Sequence, residues 1–129
     1  MELKEVLSYF LPSGTLEYFD LKEIKVKEGK TKYMGKYGFD DEYTVILEEK
    51  DNLALFGELR GEKVRTKGYS EKLIDDFPIR GRKTKLKYRI RKYQKQGDKK
   101  IYQRKYSITP EGVTFSEEFA FFFEGENRE

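Results

Sequence analysis

The sequence predicts an α+β fold: a small antiparallel β-sheet with a long basic C-terminal hairpin, flanked by short N- and C-terminal helices. Three observations lead to it. Leu3, Val6, Leu7 and Phe10 recur at the i, i+3, i+4, i+7 spacing of one helix face. From Lys83 to Tyr93, charged and apolar residues alternate with the period of a half-buried strand. Thr114-Phe115-Ser116-Glu117 has the form of a capping box, in which the first side chain and the fourth satisfy each other's backbone amides at a helix start.

The elements follow in chain order. Pro12-Ser13-Gly14 stops the first helix, and Thr15 to Phe19 supports one more helical turn. Ile24 and Val26 alternate with Lys25 and Lys27 as a strand. Glu28-Gly29-Lys30 is a turn, after which Thr31 to Tyr37 can pair back. Tyr43 to Leu47 is the best early strand. Residues 50–62 read as a loop around Leu53-Ala54-Leu55-Phe56, because Gly57 and Gly61 break either regular pattern. Val64 to Asp76 is extended but irregular. Asp76 to Gly81 is a turn with Phe77 and Ile79 expected to be buried, since Pro78 pushes its predecessor out of the helical region. Lys83 to Tyr93 and Lys100 to Ile108 form the long hairpin around Gln96-Gly97-Asp98. A helix then runs from Thr114 to Phe123, and Gly125 ends it. Residues 1–125 make a single domain and 126–129 a polar tail.

Composition removes several chemistries. The 129 residues include no Cys and no His, so disulfides, zinc sites built on those ligands, a Cys nucleophile and an imidazole base are excluded. The fold is expected to need no metal and the chain no cofactor. Charged residues make up 40%, but ten Phe and ten Tyr supply an aromatic core that a disordered chain would lack. No stretch approaches a membrane span and charge begins at Glu2, so the expected location is cytoplasmic, associated with the nucleoid.

The net charge of +3 conceals an asymmetry. Residues 80–105 hold 13 cations and one anion, Asp98, leaving 14 cations and 23 anions elsewhere. Such a run is the expected footprint of a polyanion partner. Alternation places Lys83, Lys85, Lys87, Arg89 and Arg91 on one face, about 7 Å apart, and Thr84, Leu86, Tyr88 and Ile90 on the other. The nucleic-acid-binding set expected from this is Arg80, Arg82, Lys83, Lys85, Lys87, Arg89, Arg91, Arg104 and Lys105. Tyr93, Tyr102 and Tyr106 lie among these cations; cross-strand packing is favoured for them over stacking on bases.

No catalytic constellation stands beside this surface, and the chain is not expected to be an enzyme. Asp40-Asp41-Glu42, Glu48-Glu49 and Asp75-Asp76 are carboxylate clusters, but neighbouring acids on a strand point to opposite faces and cannot converge on one metal. Arg80-Gly81-Arg82-Lys83-Thr84 lacks the upstream glycine of a phosphate-binding loop. Phe119, Phe121, Phe122 and Phe123 would span more than one stripe of the last helix, which marks Phe119, Phe122 and Phe123 as partner-binding.

Three motifs carry a family resemblance. They are Asp76-Phe77-Pro78-Ile79-Arg80-Gly81-Arg82-Lys83, the basic strand ending Arg89-Ile90-Arg91-Lys92-Tyr93, and Gly112 to Phe122 with Glu118-Phe119-Ala120 at its centre. In this order they resemble the N-terminal region proteins of ISAon-type bacterial insertion-sequence transposases. Tyr9-Phe10-Leu11-Pro12, Leu16-Glu17-Tyr18-Phe19 and Lys67-Gly68-Tyr69 are similar to further elements of that family. Lys92-Tyr93 stands where the family usually has Arg-Trp, and Val113 and Phe115 where it has Thr and Arg. The resemblance implies a non-catalytic DNA-binding accessory region. Its partners would be double-stranded DNA at the element ends and a catalytic transposase subunit, which supplies the catalytic carboxylates; self-association as a homodimer is a further expectation. The alternative reading is a protein-interaction module that docks an acidic partner or the catalytic subunit, and a third is RNA binding.

Overall fold

A computed structural model describes residues 3–29, 41–55, 59–79 and 81–123; of Leu3, Lys4, Leu7 and residues 117–123 it describes the backbone. The fold is a six-stranded mixed sheet with two short helical segments at the N-terminus, not an α+β domain with a helix at each end. The elements are α1 (Leu3–Ser8), α2 (Thr15–Tyr18), β1 (Phe19–Lys27), β2 (Glu42–Glu49), β3 (Val64–Ile79), β4 (Arg82–Lys95), β5 (Lys100–Thr109) and β6 (Gly112–Phe123). The expected return strand at Thr31 to Tyr37 lies outside the described residues.

β4 is the spine. β3 runs antiparallel along one flank, from Val64 opposite Lys95 to Ile79 opposite Arg82. The other flank is shared. β2 takes its first half in parallel, from Glu42 opposite Lys83 to Glu48 opposite Arg89, and β1 pairs antiparallel outside β2. β5 meets β4 at a single pair, Tyr93 opposite Tyr102, and then diverges. The expected long hairpin is therefore corrected: strands and turn are present, but β2 occupies the edge that β5 was expected to fill. An edge offers one set of hydrogen bonds, and two strands cannot both use it.

The diverging β5–β6 hairpin folds back over the inner face of the sheet. Phe19, Val45, Leu47, Leu86, Tyr88 and Ile90 of β1, β2 and β4 form one buried cluster with Ile108 and Val113 of β5 and β6. The period-two reading of β4 holds, since Thr84, Leu86, Tyr88 and Ile90 are all buried. Leu59, Tyr93 and Tyr102 make a second cluster near the β4–β5 turn. The Tyr88 hydroxyl hydrogen-bonds Thr15 at 3.0 Å and fixes α2 on this face. Next to it, Gly14 sits at φ +89°, and a Cβ there would lie 2.8 Å from the Val113 carbonyl oxygen. Only glycine allows the N-terminal segment to bond so closely to the start of β6, where the Val113 amide donates to the Ser13 carbonyl at 2.7 Å.

The C-terminal helix expected over Thr114 to Phe123 is strand β6, paired with β5 from Gly112 opposite Thr109 to Phe123 opposite Lys100. Its register shifts between Arg104 and Tyr106, so the β6 segment between Phe115 and Phe119 faces a shorter stretch of β5. The capping-box pattern is local, and the Phe-rich run suits a strand at least as well once a neighbouring edge is available. Phe77 and Ile79 also differ from expectation: they are 63% and 41% exposed. They end β3, an edge strand, where Pro78 is tolerated because one side of the backbone has no ladder to serve.

Candidate nucleic-acid interface

The basic face of β4 is present but is not bare. Its cations point outward beside carboxylates of the two flanking strands. Lys85 lies 4.0 Å from Glu42 of β2, and Lys87 lies 3.9 Å from Glu71 of β3. Arg89 reaches Glu71 at 3.2 Å and Glu48 at 4.0 Å, and Arg91 reaches Glu48 at 3.7 Å. Asp75 faces Lys85 across the β3–β4 ladder. Anions that the sequence places outside residues 80–105 are thus folded against them. These pairs remove the mutual repulsion of the ladder and much of its attraction for an external polyanion.

The other expected contacts separate. Lys83 is exposed and Arg82 half-buried at the start of β4, and Arg80 lies outside the described residues. Lys105 is exposed on β5. Arg104 is corrected: it is 1% exposed and unable to meet a phosphate. Its guanidinium donates to Glu49 at 3.3 Å, to the Tyr93 hydroxyl at 3.0 Å, and to the carbonyls of Leu53 and Ala54 at 3.3 and 3.0 Å. Burial alone would lower its pKa, but the Tyr93 hydroxyl and Glu49 more than offset this and hold it above the ordinary value.

Glu49 sits where β2 ends and β5 departs from β4. Its side chain is 0% exposed. One carboxylate oxygen accepts the backbone amide of Arg91 at 3.0 Å, a donor that falls between the β2 and β5 ladders. The other accepts Arg104 and the Tyr106 hydroxyl. The Glu49–Arg104 pair therefore closes the fork in the sheet. Tyr93 and Tyr102 are buried in the second cluster, which leaves their rings no access to a base. Phe119 and Phe123 pair with Arg104 and Lys100 along the β6 backbone, and Phe122 with Ile101; their side chains lie outside the described residues.

Among the described residues, cations outnumber carboxylates at the other end of β4. Gln96 donates its amide to the Lys63 carbonyl at 3.2 Å, which brings the start of β3 against the β4–β5 turn. Lys63, Arg65, Lys95, Lys99 and Lys100 lie at this end, with Glu62 and Asp98 as the acids nearest to them in sequence among the described residues. A groove of about 580 Å³ runs between Lys63, Arg65, Lys95 and the turn. Lys63, Arg65 and Lys99 are exposed. Arg65 is aimed by two bonds to the Gln94 carboxamide oxygen, at 3.3 and 2.9 Å.

Asp98 is committed to the turn itself. Its carboxylate accepts the Lys100 amide at 3.0 Å and the Tyr102 hydroxyl at 3.3 Å, with Lys95 at 3.9 Å. The Lys100 amide above all, helped by the Tyr102 hydroxyl, the Lys99 amide and the Lys95 charge, holds this carboxyl below the ordinary aspartate value against the opposing effect of burial. The basic run already held Lys95, Lys99 and Lys100, but the expected contact set left them out, and their meeting with Lys63 and Arg65 escapes sequence reasoning because these lie in a separate segment. The signal was Arg60, Lys63, Arg65 and Lys67, opposed over residues 60–67 only by Glu62.

Among the described residues there is no group of three or more potential metal ligands and no helix long and apolar enough to cross a membrane. No family model, no curated protein and no solved structure matches the chain.

Proposed function

We propose that this chain is a non-catalytic DNA-binding accessory of the insertion-sequence transposase type, and that it grips duplex DNA through the basic end of the sheet. The observation that carries this reading is the meeting of Lys63 and Arg65 with Lys95 along an open groove beside the turn that carries Lys99; Lys95 is paired with Asp98 at 3.9 Å, while Lys63, Arg65 and Lys99 are exposed and have no carboxylate within ion-pair distance among the described residues. Phosphate contact needs solvent-facing cations whose field is not cancelled by close acids. The β4 ladder is the weaker candidate, because Glu42, Glu48 and Glu71 already lie within 4.0 Å of its charges. The resemblance in the three motifs supplies the biological setting, DNA at the ends of a mobile element and a catalytic subunit encoded elsewhere.

The test is a binding titration with duplex DNA at two salt concentrations. Lys63→Glu/Lys99→Glu abolishes binding, while Lys85→Glu/Lys87→Glu in the ladder leaves most of it. Lys63→Ala/Lys99→Ala lowers the log–log salt slope by about 2. If the ladder variant loses binding and the basic-end variant keeps it, the placement is wrong. If the parent shows no salt-dependent binding at all, the function is wrong. Stronger binding to single-stranded RNA than to duplex DNA would turn the proposal toward RNA.

A second reading, a protein-interaction module, rests on β6. It lies at one end of the strand order, so beyond the Ser13 bridge at Gly112 one backbone flank has no strand partner among the described residues, an arrangement suited to an added strand. Co-purification with a catalytic transposase subunit that survives Lys63→Glu/Lys99→Glu separates protein docking from DNA bridging.

A further inference from the structure

A cavity of about 370 Å³ opens between α2, the segment joining β2 to β3, and the start of β6. It lies within the size range of small-ligand sites. One wall is aromatic. The rings of Tyr18 and Phe115 are 5.4 Å apart and tilted by 35°, and Tyr106 stands behind both, at 5.7 and 5.5 Å. The facing wall is aliphatic, from Leu53 to Leu55. Arg104 closes the floor, and no acidic residue is among the described residues that line the cavity.

Both walls are held in place from within. Arg104 donates to the Leu53 and Ala54 carbonyls, so the segment after β2 is bonded to the core rather than merely resting on it. Tyr106 is tied to Glu49, which fixes the ring that backs Tyr18 and Phe115. The terminal nitrogens of Arg104 are engaged by Glu49, Tyr93 and those two carbonyls. The cation left to serve a ligand is Arg60 at the rim, which is exposed and has no carboxylate within ion-pair distance among the described residues.

We infer that this cavity binds a small planar aromatic carboxylate, with its ring between the Tyr18–Phe115 wall and the leucines and its carboxylate on Arg60. The chemistry argues for each part. Tilted rings and branched aliphatic side chains accept a flat apolar body. A guanidinium presents paired donors that match the two oxygens of a carboxylate. A preformed wall costs little ordering on binding. The inference stands apart from the DNA-binding proposal, whose groove lies at the β4–β5 turn.

The experiment is protein-observed NMR titration of the full chain with 1-naphthoate and with its neutral isostere 1-naphthamide. Saturable shifts are expected at Tyr18, Leu53 to Leu55, Arg60 and Phe115 with the acid. Arg60→Gln weakens naphthoate about fivefold, the order of a rim charge contact, and leaves naphthamide unchanged. Phe115→Ala weakens both. If that variant unfolds, the Arg60→Gln comparison still decides. Non-saturable shifts, shifts confined to Lys63, Lys95 and the β4–β5 turn, or an equal effect of Arg60→Gln on both compounds would overturn the inference.

Discussion

Glu49 and Arg104 carry the largest single-residue consequence. Each is wholly buried, and each bonds to more than its partner: Glu49 to the Arg91 amide and Tyr106, Arg104 to Tyr93 and the Leu53 and Ala54 carbonyls. Removing one member leaves the other as an uncompensated charge in the core. Glu49→Ala or Arg104→Ala is therefore expected to cost about 3–5 kcal/mol. Chemical denaturation of both variants checks this, and a loss below 1 kcal/mol would mean that water reaches the fork. Arg104 also shows why a residue list drawn from charge alone misleads. Its partner lies 55 residues away in sequence, although alternation along β5 already sets Arg104 with Tyr102, Tyr106 and Ile108 and opposite the solvent-facing Lys105.

At the scale of the element, β4 has two faces with different physics. Ile90 is buried among Leu86, Tyr88 and Leu47, so Ile90→Ala leaves a cavity and is expected to cost about 2–5 kcal/mol, independent of salt. Arg89 lies between Glu71 and Glu48. Arg89→Glu brings three carboxylates together and is expected to cost about 1 kcal/mol, a loss that shrinks as salt screens the repulsion. Had the ladder stood alone, the same change would relieve repulsion and raise stability. Melting curves of the two variants at low and high salt separate these outcomes; a more stable Arg89→Glu protein would mean that the flanking acids do not engage the ladder. β6 teaches the complementary lesson. Thr114 to Phe123 satisfies a helix-start pattern, yet the backbone pairs with β5 along Lys100–Thr109. Short apolar runs do not declare helix or strand by themselves, and the neighbouring edge decides.

For the whole molecule, titration of the core sets the pH range of stability. The chain has no histidine, so no side chain with an ordinary pKa near 6.5 titrates in the neutral range. Tyr88 is pushed up to about 12, first by burial and also by Asp76, against a lowering hydrogen bond from Thr15. Tyr106 is raised further by burial and by Glu49. A phenol whose folded pKa exceeds its unfolded value contributes stability that is complete below about pH 10 and is lost as pH rises through the folded value. Stability is thus expected to fall between about pH 10 and pH 12, and Tyr88→Phe to flatten that fall. Asp98 acts at the other end of the scale. Its depressed pKa means that its contribution is present above about pH 3.9 and is lost on further acidification. Unfolding free energies measured from pH 3 to pH 12 test both limbs; a steep change near neutrality would contradict this reading.

What the sequence determined by itself was whatever depends on one strand at a time. The inward set of β4, the turn at Gln96-Gly97-Asp98 and the helical turn at Thr15 were legible because alternation, glycine and short-range bonding act within a few residues. What only the tertiary structure decided was who stands beside whom. β2 displaced β5 from the edge of β4, Glu42, Glu48 and Glu71 came to rest on the basic ladder, and Arg104 found Glu49 inside. The shorter basic stretch around Lys63 met the end of the 80–105 run around Lys95 and made the open basic groove. Strand pairing joins residues tens of positions apart, and charges act through space rather than along the chain, so the sign of a surface is a property of the assembled sheet.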